Sequence, residues 1–123
     1  NQVYRCPICG NIVEITHVGG GALVCCGKPM ELLEEKSSEE GMEKHLPVAT
    51  FDNGVLKVKI GSVEHPMVDE HYIEWIECIV DGNVFKRYLF PNDKPYAEFS
   101  AKEGKGIKVR AYCNVHGLWA VTL

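Results

Sequence analysis

Four of the six cysteines in this 123-residue chain stand at positions 6, 9, 25 and 26, inside a front segment too short to be held by burial alone. Chains below about 40 residues usually depend on a metal, disulfides or association. What these cysteines bind therefore decides how the front of the chain folds. In Cys6-Pro7-Ile8-Cys9-Gly10 the two intervening residues let both sulfurs face one ion, and the glycine eases the turn. Cys25 and Cys26 are adjacent, where a zinc ribbon would supply a second two-residue gap. Adjacent ligands require a tight backbone and a distorted tetrahedron. Gly19, Gly20 and Gly21 provide a flexible return between the halves.

The alternatives to metal are a pair of disulfides or buried free thiols. No secretory apolar stretch precedes the cysteines, which points to a reducing, cytoplasmic setting and so to metal. Four thiolates suit zinc or iron almost equally, and the residues do not choose between them. Either ion would stabilise the front segment directly, because the site exists only when folded. A closed tetrathiolate offers no position for substrate; with iron, its natural chemistry is electron transfer.

Behind the cysteines, Glu34 to Gly41 is charged and without apolar periodicity. It reads as a linker or exposed turn with one short helix capped at Ser37 or Ser38. The expected division is a metal domain over residues 1–36 and a second domain over 37–123. The second domain reads as all-β. Val55–Ile60 alternates after the turn signal Asp52-Asn53-Gly54. Further strands are expected over His71–Val80, Val84–Phe90, Tyr96–Ser100, Ile107–Ala111 and Leu118–Leu123, with turns at Asp81-Gly82-Asn83 and Gly104-Lys105-Gly106. Short strands between turns at this spacing predict a β-sandwich. With 46% hydrophobic residues and no apolar run long enough to cross a membrane, no membrane partner is expected. A formal charge of −4 argues against a nucleic-acid partner. An anionic substrate would need a local positive group to offset that field.

His45, His65, His71 and His116 stand beside turn or strand-end signals, as does Cys113. Strand ends of a sandwich can converge on one point. Spacing alone does not separate a shared site from four unrelated surface histidines and a buried cysteine. If the five converge, coordination number becomes informative. Zinc prefers four ligands, whereas four imidazoles in a plane with one axial thiolate leave a sixth position, an arrangement suited to iron and a small oxygen species. An axial thiolate also pushes electron density toward the opposite ligand.

At these residues the sequence resembles a known family. Cys6-x-x-Cys9 with Cys25-Cys26 is similar to the desulforedoxin module. Glu43-Lys44-His45, His65-Pro66-Met67, His71-Tyr72-Ile73 and Cys113-Asn114-Val115-His116-Gly117 resemble the active-site motifs of superoxide reductases. Both in this order, across essentially the whole chain, resemble desulfoferrodoxin, the two-iron class. The resemblance implies an all-β chain: a small desulforedoxin-like domain followed by an immunoglobulin-like β-sandwich, assembled as a homodimer. It implies two irons per chain, one on Cys6, Cys9, Cys25 and Cys26 (where zinc is the alternative), the other on His45, His65, His71 and His116 with Cys113 axial. The implied reaction is one-electron reduction of superoxide, with two protons, to hydrogen peroxide, fed by a rubredoxin-like electron donor. Lys44 would attract the anion and organise a proton-donating water, and Glu43 would take the open position in the oxidised resting state.

Other residues carry simpler readings. His17 is expected at the surface. Cys78 lies inside a strand pattern as a small core residue. Trp75, Trp119, Phe85 and Phe90 are expected in the sandwich core, and Pro66 is expected to shape the His65 loop.

Overall fold

The computed structural model describes residues 1–38, 41–104 and 106–123. The chain divides into two compact units, Asn1–Glu34 and Glu35–Leu123. In the first, the strands β1 (Val3–Arg5), β2 (Ile12–Glu14) and β5 (Glu31–Leu32) form a sheet ordered β2-β1-β5, and β3 (Val24–Cys25) pairs with β4 (Lys28–Pro29). These strands of two or three residues place cysteines at their turns.

The second unit is a sandwich of two antiparallel sheets. One holds β6 (Pro47–Asp52), β7 (Val55–Ile60) and β10 (Tyr96–Ser100) in the order β10-β7-β6. The other holds β8 (Ile73–Val80), β9 (Asn83–Tyr88), β11 (Lys108–Cys113) and β12 (Gly117–Thr122) in the order β12-β11-β8-β9. Seven strands in two facing sheets give the immunoglobulin-like layer arrangement. Alternation sends Leu56, Val58 and Ile60 of β7 inward to meet Ile73, Ile76 and Cys78 of β8 and Val109, Ala111 and Cys113 of β11.

The turn signals act as their chemistry requires. Asn53-Gly54 joins β6 to β7 with φ of 50° and 81°, and Asp81-Gly82 joins β8 to β9 with φ of 51° and 76°. Two consecutive left-handed residues match the right-handed twist of the paired strands. The turn expected at Gly104–Gly106 includes Lys105, which lies outside the described residues.

Several expectations need correction. β6 has no counterpart among the expected strands. The segment after Glu34 is not simply a linker: the Glu35 carboxylate pairs with Lys108 (2.7 Å) and Arg110 (3.1 Å), and Lys36 bridges in parallel to Trp119 on β12. Glu39 and Glu40 of that stretch lie outside the described residues. Ser37 and Ser38 are bends, and the helix expected after a cap there would run through Glu39 and Glu40. The short helix α1 (Met42–His45) follows Gly41, which is left-handed at φ 87° and caps without a side chain. Phe85 and Phe90 are 45% and 65% exposed and are not core. Phe85 faces Cys78 in register, but β9 is an edge strand, so only one side of it is covered. Trp75 and Trp119 are buried, as expected, each against an aromatic partner: Trp75 stacks on Tyr112, and Trp119 on His45. His17 is exposed and Cys78 is buried, as expected.

Candidate metal centres

In the first unit, Cys6 and Cys9 flank the turn after β1, and Cys25 and Cys26 sit at the β3–β4 turn. Their four sulfurs lie within 4.8 Å of one another. Cys9 Sγ is 3.6 Å from Cys25 Sγ, and Cys25 Sγ is 4.0 Å from Cys26 Sγ. A disulfide would need about 2.05 Å. Sulfurs about 2.3 Å from a central ion stand about 3.8 Å apart in a tetrahedron, so the observed spacings fit one metal held by four thiolates. Adjacent ligands carry a local cost, because Cys26 takes the left-handed conformation at φ 55°. That conformation is unfavourable by about 1–2 kcal/mol for a residue with a Cβ.

The backbone prepares these sulfurs for negative charge. The amides of Cys9 (3.5 Å) and Ile8 (3.4 Å) donate to Cys6 Sγ. Those amides, the Cys9 amide first, bring Cys6 down to about 6. Crowding by the Cys9 and Cys6 sulfurs pushes Cys25 up to about 12. A divalent cation removes that conflict by replacing the shared protons.

The second group is assembled from loops at one end of the sandwich. His45 ends α1, and His65 lies in the loop after β7. His71 precedes β8, and Cys113 and His116 bracket the β11–β12 turn. Neighbouring imidazole centroids are 4.7 Å (His45–His65), 4.7 Å (His65–His71), 5.0 Å (His71–His116) and 4.8 Å (His116–His45) apart. The diagonal His45–His71 is 6.4 Å, close to that of a square with those sides. Adjacent rings cross at 62–83°. Cys113 Sγ lies within 4.8 Å of the candidate ligand nitrogens of His45, His65 and His71, and 3.8 Å from His116 Nδ1. The five residues do converge.

Hydrogen bonding shows what the ring is built to hold. His45 Nδ1 meets the Gly41 carbonyl and His65 Nδ1 the Pro66 carbonyl, each at 2.7 Å. A carbonyl only accepts, so both Nδ1 atoms carry the hydrogen. The two Nε2 atoms then face each other at 3.1 Å with lone pairs outward. His71 Nε2 is buried with no hydrogen-bond partner among the described residues. Burial lowers the proton affinity of all three rings, bringing His65 to about 4. Converging lone pairs that resist protonation require another cation, and second-nitrogen bonds to carbonyls are how ligating histidines are oriented. Burial also pushes the Cys113 thiol up. A thiolate there needs a cation beside it, and the His116 amide already donates to its sulfur at 3.3 Å. The donor set of four nitrogens and one sulfur fits iron.

The elements that aim these side chains are identifiable. Gly61 (φ 86°) ends β7 so tightly that a Cβ there would collide with the Val63 carbonyl oxygen and stand 2.7 Å from Lys44 O. Its neighbours Ser62 and Val63 donate to the Glu43 carbonyl, bracing α1. Between β8 and β11 the register shifts at Tyr112/Cys113, so that Cys113 pairs with Ile73 and Glu74 is left as the extra residue. Bulges of this kind re-aim side chains beside functional sites. Asn114 accepts from the Tyr72 amide (2.9 Å) and donates to the Glu70 carbonyl (3.1 Å), clamping the segment that carries His71. Sequence reasoning missed Asn114 as a positioning group, although it sits inside the Cys113–His116 motif.

Lys44 and Glu43 are exposed on α1. Their charges reach the ring: after burial and His116, Lys44 lowers the proton affinity of His71, while Glu43 acts in the opposite sense on His45.

Comparison with known proteins agrees with this two-site arrangement. Residues 1–33 match the family model described as Desulfoferrodoxin, N-terminal domain, and residues 37–122 match Desulfoferrodoxin. A desulfoferrodoxin homolog of Archaeoglobus fulgidus is 55% identical over 118 residues, covering 96% of this chain and 94% of the relative. A superoxide reductase of Pyrococcus horikoshii is 36% identical over 95 residues, covering 63% of this chain and 83% of the relative. In fold, the chain is similar to the crystal structure of the superoxide reductase from Treponema pallidum, with a TM-score of 0.76 at 24% identity over 98% of this chain and 95% of that one. With family models over both units and more than half its residues shared with a full-length relative, this chain belongs to the desulfoferrodoxin family.

Proposed function

We propose that the chain is a superoxide reductase, an oxidoreductase that reduces superoxide by one electron, with two protons, to hydrogen peroxide. The observation that carries this reading is the square of four imidazoles with Cys113 on the same centre. These five donors would hold a redox metal, and the name of the Pyrococcus relative supports superoxide as the small anion it would meet. His45, His65, His71, His116 and Cys113 would hold ferrous iron, which would supply the electron. The chain's residues do the rest. Carbonyl-anchored His45 and His65 keep their Nε2 atoms unprotonated and aimed. Cys113 donates electron density from a buried sulfur steadied by the His116 amide. Lys44, exposed beside His71, draws the anion in and orders a water that delivers a proton. Glu43, on the same exposed turn, would supply a carboxylate to the oxidised centre.

Cys6, Cys9, Cys25 and Cys26 hold the other iron of each chain, the first in chain order, as a tetrathiolate centre. A rubredoxin-like carrier restores the ferrous state, and the protein works as a cytoplasmic homodimer removing superoxide. No helix among the described residues is long and apolar enough to cross a membrane.

The test is to generate superoxide by pulse radiolysis against the fully reduced protein. The expected result is rapid oxidation of the histidine-bound iron, one per superoxide consumed, with peroxide formed and no dioxygen. Dioxygen released in step with peroxide would indicate dismutation instead. Metal analysis of untagged protein should find two irons per chain.

A further inference from the structure

Lys36 lies outside the five-ligand set and outside the Glu43-Lys44 turn, and it is half-buried beside the second centre. Its backbone is pinned to β12 on both sides: its amide donates to the Leu118 carbonyl (2.9 Å), and its carbonyl accepts from the Ala120 amide (3.0 Å). Its ammonium donates to the His116 carbonyl at 3.0 Å. The same carbonyl accepts from Trp119 Nε1 at 3.1 Å. The Trp119 indole stacks on the His45 ring, 4.8 Å away at 17°, and Lys36 Nζ lies 5.7 Å from the indole centroid. Gly117, left-handed at φ 87°, brings the turn close enough that a Cβ there would stand 3.8 Å from Lys36 Cε and Nζ.

One cation thus reaches two of the proposed ligands through a single intermediary each. It reaches His116 through that residue's carbonyl, and His45 through the indole. We propose that Lys36 is a positioning residue for the reductase centre, clamping the Cys113–His116 turn together with Trp119 and placing a fixed positive charge against that turn. This rests on the ligand set given under Proposed function.

The physical consequence has a definite sign. A cation held on the turn that carries Cys113 and His116 stabilises the more negative, reduced form of the centre. Removing the charge strengthens sulfur donation and favours the oxidised form. Lys44 sits on the exposed turn where the anion approaches, so the two lysines act on different quantities: Lys44 on encounter, Lys36 on the centre itself.

The experiment compares Lys36→Met and Lys36→Arg with the unmodified iron-loaded protein, by redox titration and visible spectrum. In the Met variant the histidine centre should shift about tenfold toward the oxidised form at a fixed potential, which is about 59 mV lower for a one-electron couple. Its sulfur-to-iron band should move to lower energy, and the Arg variant should restore both. The tetrathiolate centre, in the other unit, should be unchanged throughout. If the Met variant loses its second iron while the Arg variant keeps it, the clamp is supported in its stronger form. An unmoved potential and band in an iron-replete Met variant would overturn the inference, as would equal shifts or equal iron loss in both variants. Failure of the underlying ligand reading looks different: Cys113→Ser would then leave the band in place.

Discussion

At the scale of single residues, the two buried cysteines of the second unit separate chemistry from packing. Cys113 and Cys78 both point into the space between the sheets, and neither is solvent-exposed. Only Cys113 has imidazoles around its sulfur. Cys113→Ser should abolish the sulfur-to-iron charge-transfer band of the oxidised second centre and most turnover. Cys78→Ser should leave both in place while lowering stability by about 1–3 kcal/mol, the cost of burying a hydroxyl without assured partners. Spectra of the two variants and their thermal midpoints check this pair. The sequence marked Cys113 through its motif and Cys78 through its strand pattern. It was silent on Lys36 and Asn114, whose work depends on carbonyls far along the chain.

At the scale of elements, the loop ends matter more than the strands. The alternation in Val55–Ile60 and Tyr96–Ser100 is readable because each strand has one face on the core. β6 escaped notice, although Ala49 and Phe51 pack against that core. Phe85 misled for a related reason, since an aromatic residue signals burial on a central strand and much less on an edge; Phe90 lies past the end of β9, on no strand. The one-residue turn at Gly61 is what holds α1, and with it Glu43, Lys44 and His45, against the end of β7. Gly61→Ala should cost about 1–3 kcal/mol from the left-handed backbone alone. The Val63 and Lys44 carbonyls must also move, so the second iron should be bound more weakly and the first left intact. Iron content per centre after mild chelation, with a melting curve, tests this.

At the scale of the whole molecule, the two centres draw all their ligands from separate units. Cys6→Ser should bleach or alter the tetrathiolate spectrum while the histidine centre still consumes superoxide. Loss of superoxide reactivity in that variant, with the second iron still bound, would show that the sites depend on each other. Net charge raises a second question at this scale, because a protein of formal charge −4 repels an anion overall. That repulsion is spread over the surface and is largely screened beyond about 8 Å at physiological salt. Lys44 acts at shorter range, and such focusing raises association rates by roughly ten- to a thousand-fold. The rate with superoxide should fall as salt rises. In Lys44→Ile it should be lower throughout, with a flattened or reversed salt dependence. Pulse radiolysis over an ionic-strength series, at matched iron content, checks both statements.

By itself the sequence determined the metal-dependent front unit, because Cys6-x-x-Cys9 and Cys25-Cys26 are local spacings in a segment too short to fold without a staple. It determined the strand-and-turn grammar of the second unit for the same reason: alternation and Asn-Gly or Asp-Gly turns are local properties. The identities of the second ligand set were legible only through motif resemblance, since gaps of 20 residues or more carry no geometry of their own. Tertiary structure decided the rest. Four rings close into a square, two Nε2 atoms oppose each other at 3.1 Å, and a lysine from the strap before α1 meets the carbonyl of His116. Each of these depends on where strand ends from two sheets come to rest, and that position is set by packing over the whole sandwich rather than by any local run of residues.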